Sequence, residues 1–189
     1  SASATGYYGS VTTATIFTET DQPANDFLGK VCRLWEESIF QFKNDKTRTV
    51  ALRTGIVLSN DGGALKKMKT PLVTPLGDGK QYMPWIHIDD LCEIYIKAIE
   101  DEDFEGAYNA IAPEHITNYS FSKAIAKTFK IPFLPIGAPS FILKIVFGKM
   151  ATIILNGSRV STGKIEKTGF TFKYKNLDKA LKNLIWEPH

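Results

Sequence analysis

Gly77-Asp78-Gly79-Lys80-Gln81-Tyr82-Met83-Pro84-Trp85-Ile86-His87-Ile88-Asp89-Asp90-Leu91 is the stretch whose reading decides the fold. Two glycines that take positive φ without steric cost open it as a turn. A short apolar and aromatic run with His87 inside it follows. Asp89 and Asp90 then begin a helical pattern with Leu91, Ile94, Tyr95, Ala98 and Ile99 on one face. Either aspartate can cap that helix by accepting from an orphan backbone N–H.

Elements on both sides alternate in type. Upstream, residues 1–24 are rich in Ser, Thr, Gly and Ala and read mostly as loop, with the end of a strand at the very start. Asp26 opens a helix with apolar positions Phe27, Val31, Leu34, Trp35, Ile39 and Phe42, broken at Asn44-Asp45-Lys46. Thr49 to Leu58 has the near-continuous apolar centre of an inner parallel strand. A short helix runs from Ala64 to Lys69.

Downstream, Ala107 to Ala112 reads as a strand. Thr117 or Asn118 caps a helix carrying Phe121, Ile125 and Phe129, stopped by Pro132 and Pro135. Two adjoining apolar helices fill 139–156, and a helix from Thr162 ends at Gly169. Phe170-Thr171-Phe172 is expected to add a small strand, and Leu177, Ala180, Leu181 and Leu184 mark a last helix. Strands and helices alternate, then helices dominate. The expected fold is therefore α/β with a helical cap.

Composition narrows the function classes. With 43% hydrophobic residues in 189, the chain can bury a sizeable core. A net charge of +3 without a long basic run gives no footprint for nucleic acid. The apolar run Phe141 to Leu155 is interrupted by two lysines and a glycine and is too short to span a bilayer, which takes about 20 residues. Neither nucleic acid nor a membrane is expected as a partner. Cys32 and Cys92 lack metal-type spacing and are expected as buried, reduced thiols of a cytoplasmic protein.

No HExxH, CxxC, GxSxG, GxxxxGK[ST] or GxGxxG occurs, so metal sites, a nucleophile elbow and a phosphate loop have no support. Ser3, at the C-terminal edge of a strand, can hydrogen-bond a substrate oxygen, since ligands bind at such edges. The plainer reading is a Ser/Thr-rich loop. For His87 it is a partly buried ring bonded to backbone, and for Asp89-Asp90 a helix cap.

These residues resemble a known family. Ser3-Ala4-Thr5 with Tyr8-Gly9, Leu52-Arg53-Thr54-Gly55, Gly77-Asp78-Gly79, Trp85 to Leu91 and Gly106-Ala107-Tyr108-Asn109 are similar to segments of extended short-chain dehydrogenase/reductases of the sugar-nucleotide epimerase type. Asp26-Phe27-Leu28, Val31-Cys32, Trp35-Glu36, Asp61 to Leu65, Pro84 to Ile88, and Asn156-Gly157-Ser158-Arg159-Val160 through Gly169-Phe170 resemble an atypical branch. That branch is the epimerase family protein with a C-terminal domain of unknown function, some members of which carry a cell-division-inhibitor label.

The resemblance implies the C-terminal part of a Rossmann-type parallel sheet (1–61 and 85–112) with a smaller, mainly helical substrate-binding domain (62–84 and 113–189). It implies NAD or NADP as cofactor of a full-length protein, a small-molecule substrate, and compatibility with a homo-oligomer. About the first hundred residues of the family pattern, with the dinucleotide-binding turn, are not in this sequence, so weak or no cofactor binding is expected of the chain alone. Ser3 is the implied catalytic hydroxyl. Arg53, Thr54, Gly55 and Ile56 are placed near the nicotinamide, and Met83, Trp85 and His87 at the substrate wall.

Two departures matter. The family's tyrosine–lysine pair, in which the lysine tunes the tyrosine as acid/base, falls where this chain has Phe27 and Val31-Cys32; Tyr7 or Tyr8 is the nearest substitute. Where epimerases place a diphosphate-gripping arginine, this chain has Met83. The function read from this is a portion of an NAD(P)-dependent oxidoreductase or epimerase-like protein. The alternative is a non-catalytic dinucleotide-binding or regulatory protein.

Overall fold

The computed structural model describes residues 1–9, 11–148 and 151–186. Three parallel strands form the main sheet in the order β1 (Ala2–Ala4), β3 (Val50–Thr54), β6 (Gly106–Ala110). Parallel neighbours need long crossovers, and helices supply them. α1 (Phe27–Phe40) lies between β1 and β3, and α3 (Ile88–Glu100) precedes β6. Two small parallel pairs flank the sheet. β2 (Ile16–Phe17) pairs with β7 (Arg159–Val160), and β4 (Ile56–Leu58) pairs with β5 (Trp85–His87).

The apolar run expected as one strand over Thr49–Leu58 is two. It breaks at Gly55, where the chain changes neighbour from β6 to β5. The Gly55 N–H still donates to the Ala110 carbonyl at 3.4 Å, while the next N–H, of Ile56, donates to Pro84 at 2.8 Å. A Cβ at residue 55 would sit 2.5 Å from the Pro84 oxygen and 2.9 Å from Ile111 Cγ2. Only glycine lets both chains approach, so the switch is local and steric.

The opening stretch behaves as turn, strand and helix. Gly77 and Gly79 take φ of 63° and 70°, and the Gly79 N–H closes the turn on Leu76. Neither aspartate is the cap. His87 holds the N-cap position, and its Nδ1 accepts the Asp89 N–H at 3.1 Å. Asp90 is buried and reaches outside the helix, accepting from the backbone N–H of Lys173 at 2.8 Å and of Tyr174 at 2.9 Å. Tyr174 stacks on the His87 ring with centroids 3.8 Å apart. The start of α3 is thus fastened to a segment more than eighty residues away.

Two cores result. One gathers Leu58, Trp85 and Ala112 with Leu65 of α2 (Gly63–Met68), Phe121 and Ile125 of α4 (Asn118–Phe129), and Leu177, Leu181 and Leu184 of α8 (Leu177–Trp186). The other lies under the main sheet and joins Leu52, Ile86, Ile94 and Tyr108 to Ile165 of α7 (Gly163–Lys167) and to Phe172. Residues 170–172 form no strand; Phe172 is drawn into this core and Phe170 packs edge-on against it. α5 (Ser140–Phe147) and α6 (Ala151–Leu155) pack on one another.

The face of α1 is the opposite of the one its apolar spacing suggests. Gly29, Cys32 and Glu36 are buried, while Phe27, Leu34, Trp35 and Phe42 are exposed. A polar requirement, described below, turns Glu36 inward. Both cysteines are free thiols; Cys32 is buried, but Cys92 is exposed, because it lies on the outer side of α3.

Asp90→Ala would leave two buried backbone donors without an acceptor. The expected loss is about 2–4 kcal/mol of unfolding free energy, read from urea midpoints, whereas Asp89→Ala at the exposed rim should change stability by less than about 1 kcal/mol.

Candidate active-site cleft

A cleft of about 300 Å³ opens at the C-terminal ends of β1 and β3. Thr5, Gly6 and Gly9 follow β1, and Gly55 and Ile56 follow β3. Tyr82, Met83 and Pro84 face them from the segment before β5, and Asn156, Gly157 and Ser158 close the far side. Leu28, Met68 and Leu76 make the rest of the wall apolar. Ligands of open parallel sheets bind at this edge, where strand ends and loops leave a crevice.

The tail segment is held there by backbone geometry. The Tyr82 N–H donates to Gly157 O at 3.3 Å, and a Cβ on Gly157 would lie 1.9 Å from the Tyr82 oxygen. Ser158 Oγ donates to the carbonyls of Gly9 and Val11, both at 3.1 Å. The loop after β1 and the tail are thereby clamped together across nearly 150 residues of chain.

Beside the cleft lies a buried polar cluster centred on Arg53. Its guanidinium meets Glu36 in a two-pronged pair, Nε to Oε1 at 2.9 Å and Nη2 to Oε2 at 2.8 Å. Both side chains are about 95% buried. Nη1 donates to Tyr8 Oη at 2.9 Å, and that hydroxyl donates to Asn109 Oδ1 at 2.7 Å. Ser3 Oγ donates to Glu36 Oε1 at 2.7 Å. The Tyr7 ring packs on the guanidinium face, 3.4 Å from its carbon. The Glu19 carboxylate accepts the Asn109 N–H at 2.9 Å. Burial, only partly opposed by Arg53, pushes the Tyr8 phenol up to about 12. It is a fixed neutral donor near pH 7, not a proton carrier.

The residues singled out from sequence are not brought together in one place. Gly55, Ile56 and Met83 line the cleft. Ser3, Tyr7 and Arg53 sit in the polar cluster next to it, with Ser3 already committed to Glu36. Thr54 ends β3 and donates to the Leu52 carbonyl at 3.2 Å. Trp85 and His87 are fully buried away from the cleft surface, one in a core and the other as a helix cap. Glu36, Asn109, Thr5 and Ser158 were not assigned roles from sequence. A glutamate inside an apolar helical pattern was the available sign for Glu36.

A Rossmann-type parallel sheet, a helical cap and a cleft between strand ends and cap define an α/β protein of the extended short-chain dehydrogenase/reductase class. Comparison with known proteins agrees. Residues 57–111 match the model of the NAD dependent epimerase/dehydratase family, and residues 138–184 match the domain of unknown function DUF1731. An epimerase family protein of Staphylococcus aureus strain NCTC 8325 is 37% identical over 98% of this chain and 63% of its own length. The crystal structure of human epimerase family protein SDR39U1 (isoform 2) with NADPH superposes with a TM-score of 0.88 at 30% identity, over 97% of this chain and 63% of that one. A nucleoside-diphosphate sugar epimerase from Corynebacterium glutamicum gives 0.77 at 30% identity, over 98% of this chain and 37% of that one. Over nearly its whole length the chain is similar to epimerase family proteins, and it carries the epimerase and DUF1731 matches in that order. It spans 63% of the length of the Staphylococcus relative it matches.

Two measurements check the cluster. Glu36→Ala strands a buried guanidinium and is expected to cost about 3–5 kcal/mol, with much of that recovered in Glu36→Leu/Arg53→Met; urea unfolding of the single and double variants decides it. The raised Tyr8 phenol also predicts a pH dependence. Its folded-state value lies above the unfolded value near 10, so its contribution to stability is whole below about pH 10 and is lost as pH rises towards about 12. The stability gap between the native protein and Tyr8→Phe should therefore narrow over that window, and a constant gap would refute the assignment.

Proposed function

We propose that this chain is the substrate-side portion of an NAD(P)-binding, epimerase-like oxidoreductase whose cleft takes a small, largely apolar molecule. Residues 1–61 and 85–112 serve as the sheet domain in this reading, and residues 62–84 and 113–189 as the cap. The observation that carries it is the cleft itself. Its wall, at strand ends where cofactor and substrate meet in such folds, is built from Leu28, Ile56, Met68, Leu76, Met83 and Pro84. The NADPH named with the human relative supports the cofactor class.

The residues divide the work as follows. Thr5 offers a hydroxyl to the cleft, and Gly55 and Gly157 offer close backbone approach. The apolar side chains exclude water and orient the substrate. Met83 in place of a guanidinium lowers the affinity expected for a diphosphate. With Phe27 and Val31 where a tyrosine–lysine pair would stand, standard acid/base chemistry is not retained in this reading. Nicotinamide, when bound, would supply hydride chemistry at this edge.

A second reading is favoured by one observation. Ser3 donates to Glu36, Arg53 donates to Glu36 and Tyr8, and Tyr8 donates to Asn109. A protein that binds the dinucleotide as a regulatory ligand, without turnover, needs no more than that.

The test is a fluorescence titration with NADPH and NADH. It uses the 189-residue chain and, separately, the protein with whatever residues its gene encodes before Ser1. Binding in the micromolar range by the longer protein, much weaker binding by the chain, and no turnover of uridine-diphosphate sugars is the expected result. Failure of the longer protein to bind either nucleotide overturns the reading. Cofactor binding without oxidation or reduction of any apolar carbonyl or alcohol in a substrate panel selects the regulatory alternative.

A further inference from the structure

Charge is divided between the two halves of the molecule. Residues 62–84 and 113–189 carry sixteen of the 23 Lys and Arg and five of the 20 Asp and Glu, a net +11; the remainder carries −8. The +3 of the whole chain hides this. Between Glu114 and Glu166 the sequence has no carboxylate at all. Asymmetry of this kind points to an anionic partner for the basic half.

An apolar surface coincides with the acid-free region. Residues 72–76 run parallel to 133–138, joined through the Val73–Phe133 and Leu76–Ala138 bridges and the Leu134 N–H to Val73. Phe133 packs inward on the core, so Leu134 and Ile136, on the opposite side of the extended chain, face out with Leu72. The ribbon leads directly into α5. There Leu143 is turned in, while Phe141 (65% exposed), Ile142 and Ile145 (80% exposed) are turned out. Exposed lysines occur at Lys66 and Lys67 on α2, a few residues before Leu72 in the chain, at Lys130 where α4 enters the ribbon, and at Lys144 on α5 itself. Among the described residues none of the four is in an ion pair.

We propose that the cap lies on an anionic lipid bilayer, with Phe141, Ile142, Ile145 and Ile136 entering the interfacial region and these lysines meeting the headgroups. The expectation of no membrane partner came from the demands of a span, and no described helix is long and apolar enough to cross a membrane. Lying on a surface asks only for a short helix with protruding apolar side chains among cations. Each lysine near an anionic leaflet contributes, and the apolar insertion adds to it. Nucleic acid would use the charge but leave the aliphatic side chains without a role. A protein partner would need a receiving groove, whereas these side chains protrude from a helix and a ribbon.

Flotation with vesicles tests this. The probes are phosphatidylcholine alone and phosphatidylcholine with about 30% phosphatidylglycerol, each at low and at physiological salt. Binding is expected to the anionic vesicles and to weaken with salt. Lys144→Gln should reduce it about fivefold. Phe141→Ser/Ile145→Ser, which alters only exposed side chains, should reduce it tenfold or more while circular dichroism and thermal unfolding stay unchanged. No binding to anionic vesicles at low salt overturns the proposal. So does binding that the Phe141→Ser/Ile145→Ser variant retains in full, which would mark simple polyelectrolyte attraction. Loss of a dimer in the same variant, without vesicle binding by the native protein, would assign the surface to a second copy and overturn it equally. Nucleotide titration of the variant reads the cleft separately from the surface.

Discussion

The Arg53–Glu36 pair is the constraint on which the sheet side of this protein depends. Arg53 points into the interior from the central strand. A buried guanidinium is tolerable only with a carboxylate in two-pronged geometry and with its remaining donors occupied. Glu36 supplies the first, and Tyr8 the second. Three consequences follow. α1 must present Glu36 rather than its aliphatic stripe to the sheet. The turn after β1 must bring Tyr8 over β3. Ser3 is recruited to the same carboxylate. The cluster therefore sets the positions of β1, α1 and the loop that forms one wall of the cleft. Within it Ser3, Tyr8 and Arg53 are bonded to Glu36, to Asn109 and to one another.

The cap side depends on a different device, close backbone approach. Gly55 lets β3 leave β6 and join the 84–87 segment; Gly157 lets the tail pass against Tyr82. Both are places where a methyl group would collide with a carbonyl oxygen, and such collisions cannot be relieved by rotating a side chain. The two glycines stand on opposite walls of the same cleft. Its shape is thus fixed by backbone rather than by side chains, and residues such as Met68, Leu76 and Met83 are left free to set its polarity.

Charge divides along the same line. The sheet half is acidic and carries the buried polar cluster. The cap half is basic, contributes most of the cleft's apolar wall, and shows aliphatic residues to the outside. The opening stretch joins the two halves: Met83 and Pro84 face the cleft, Trp85 enters one core and Ile86 the other. His87 and Asp90 then fasten α3 to the 173–174 segment.

The sequence by itself determined the order of the helices and of the main-sheet strands, though not the small β2–β7 pair, because hydrophobic period, glycine turns and proline stops act over a few residues. It also determined the family, through short motifs along almost the whole chain. What it left open was decided by contacts between residues 17 to 149 positions apart. The α1 periodicity pointed to the wrong buried face, since periodicity sees apolar residues and not a partner for an arginine on another strand. The 49–58 run read as one strand, since nothing within it reports that Pro84 and Ile111 crowd Gly55. Phe170–Phe172 has strand composition, but packing under the sheet drew it into a core. Ser3 has chemistry in its side chain, and only the tertiary structure could show that Glu36, thirty-three residues on, already engages it. Local patterns encode what a segment forms. Which of its groups remain open to a ligand depends on what the rest of the chain brings against it.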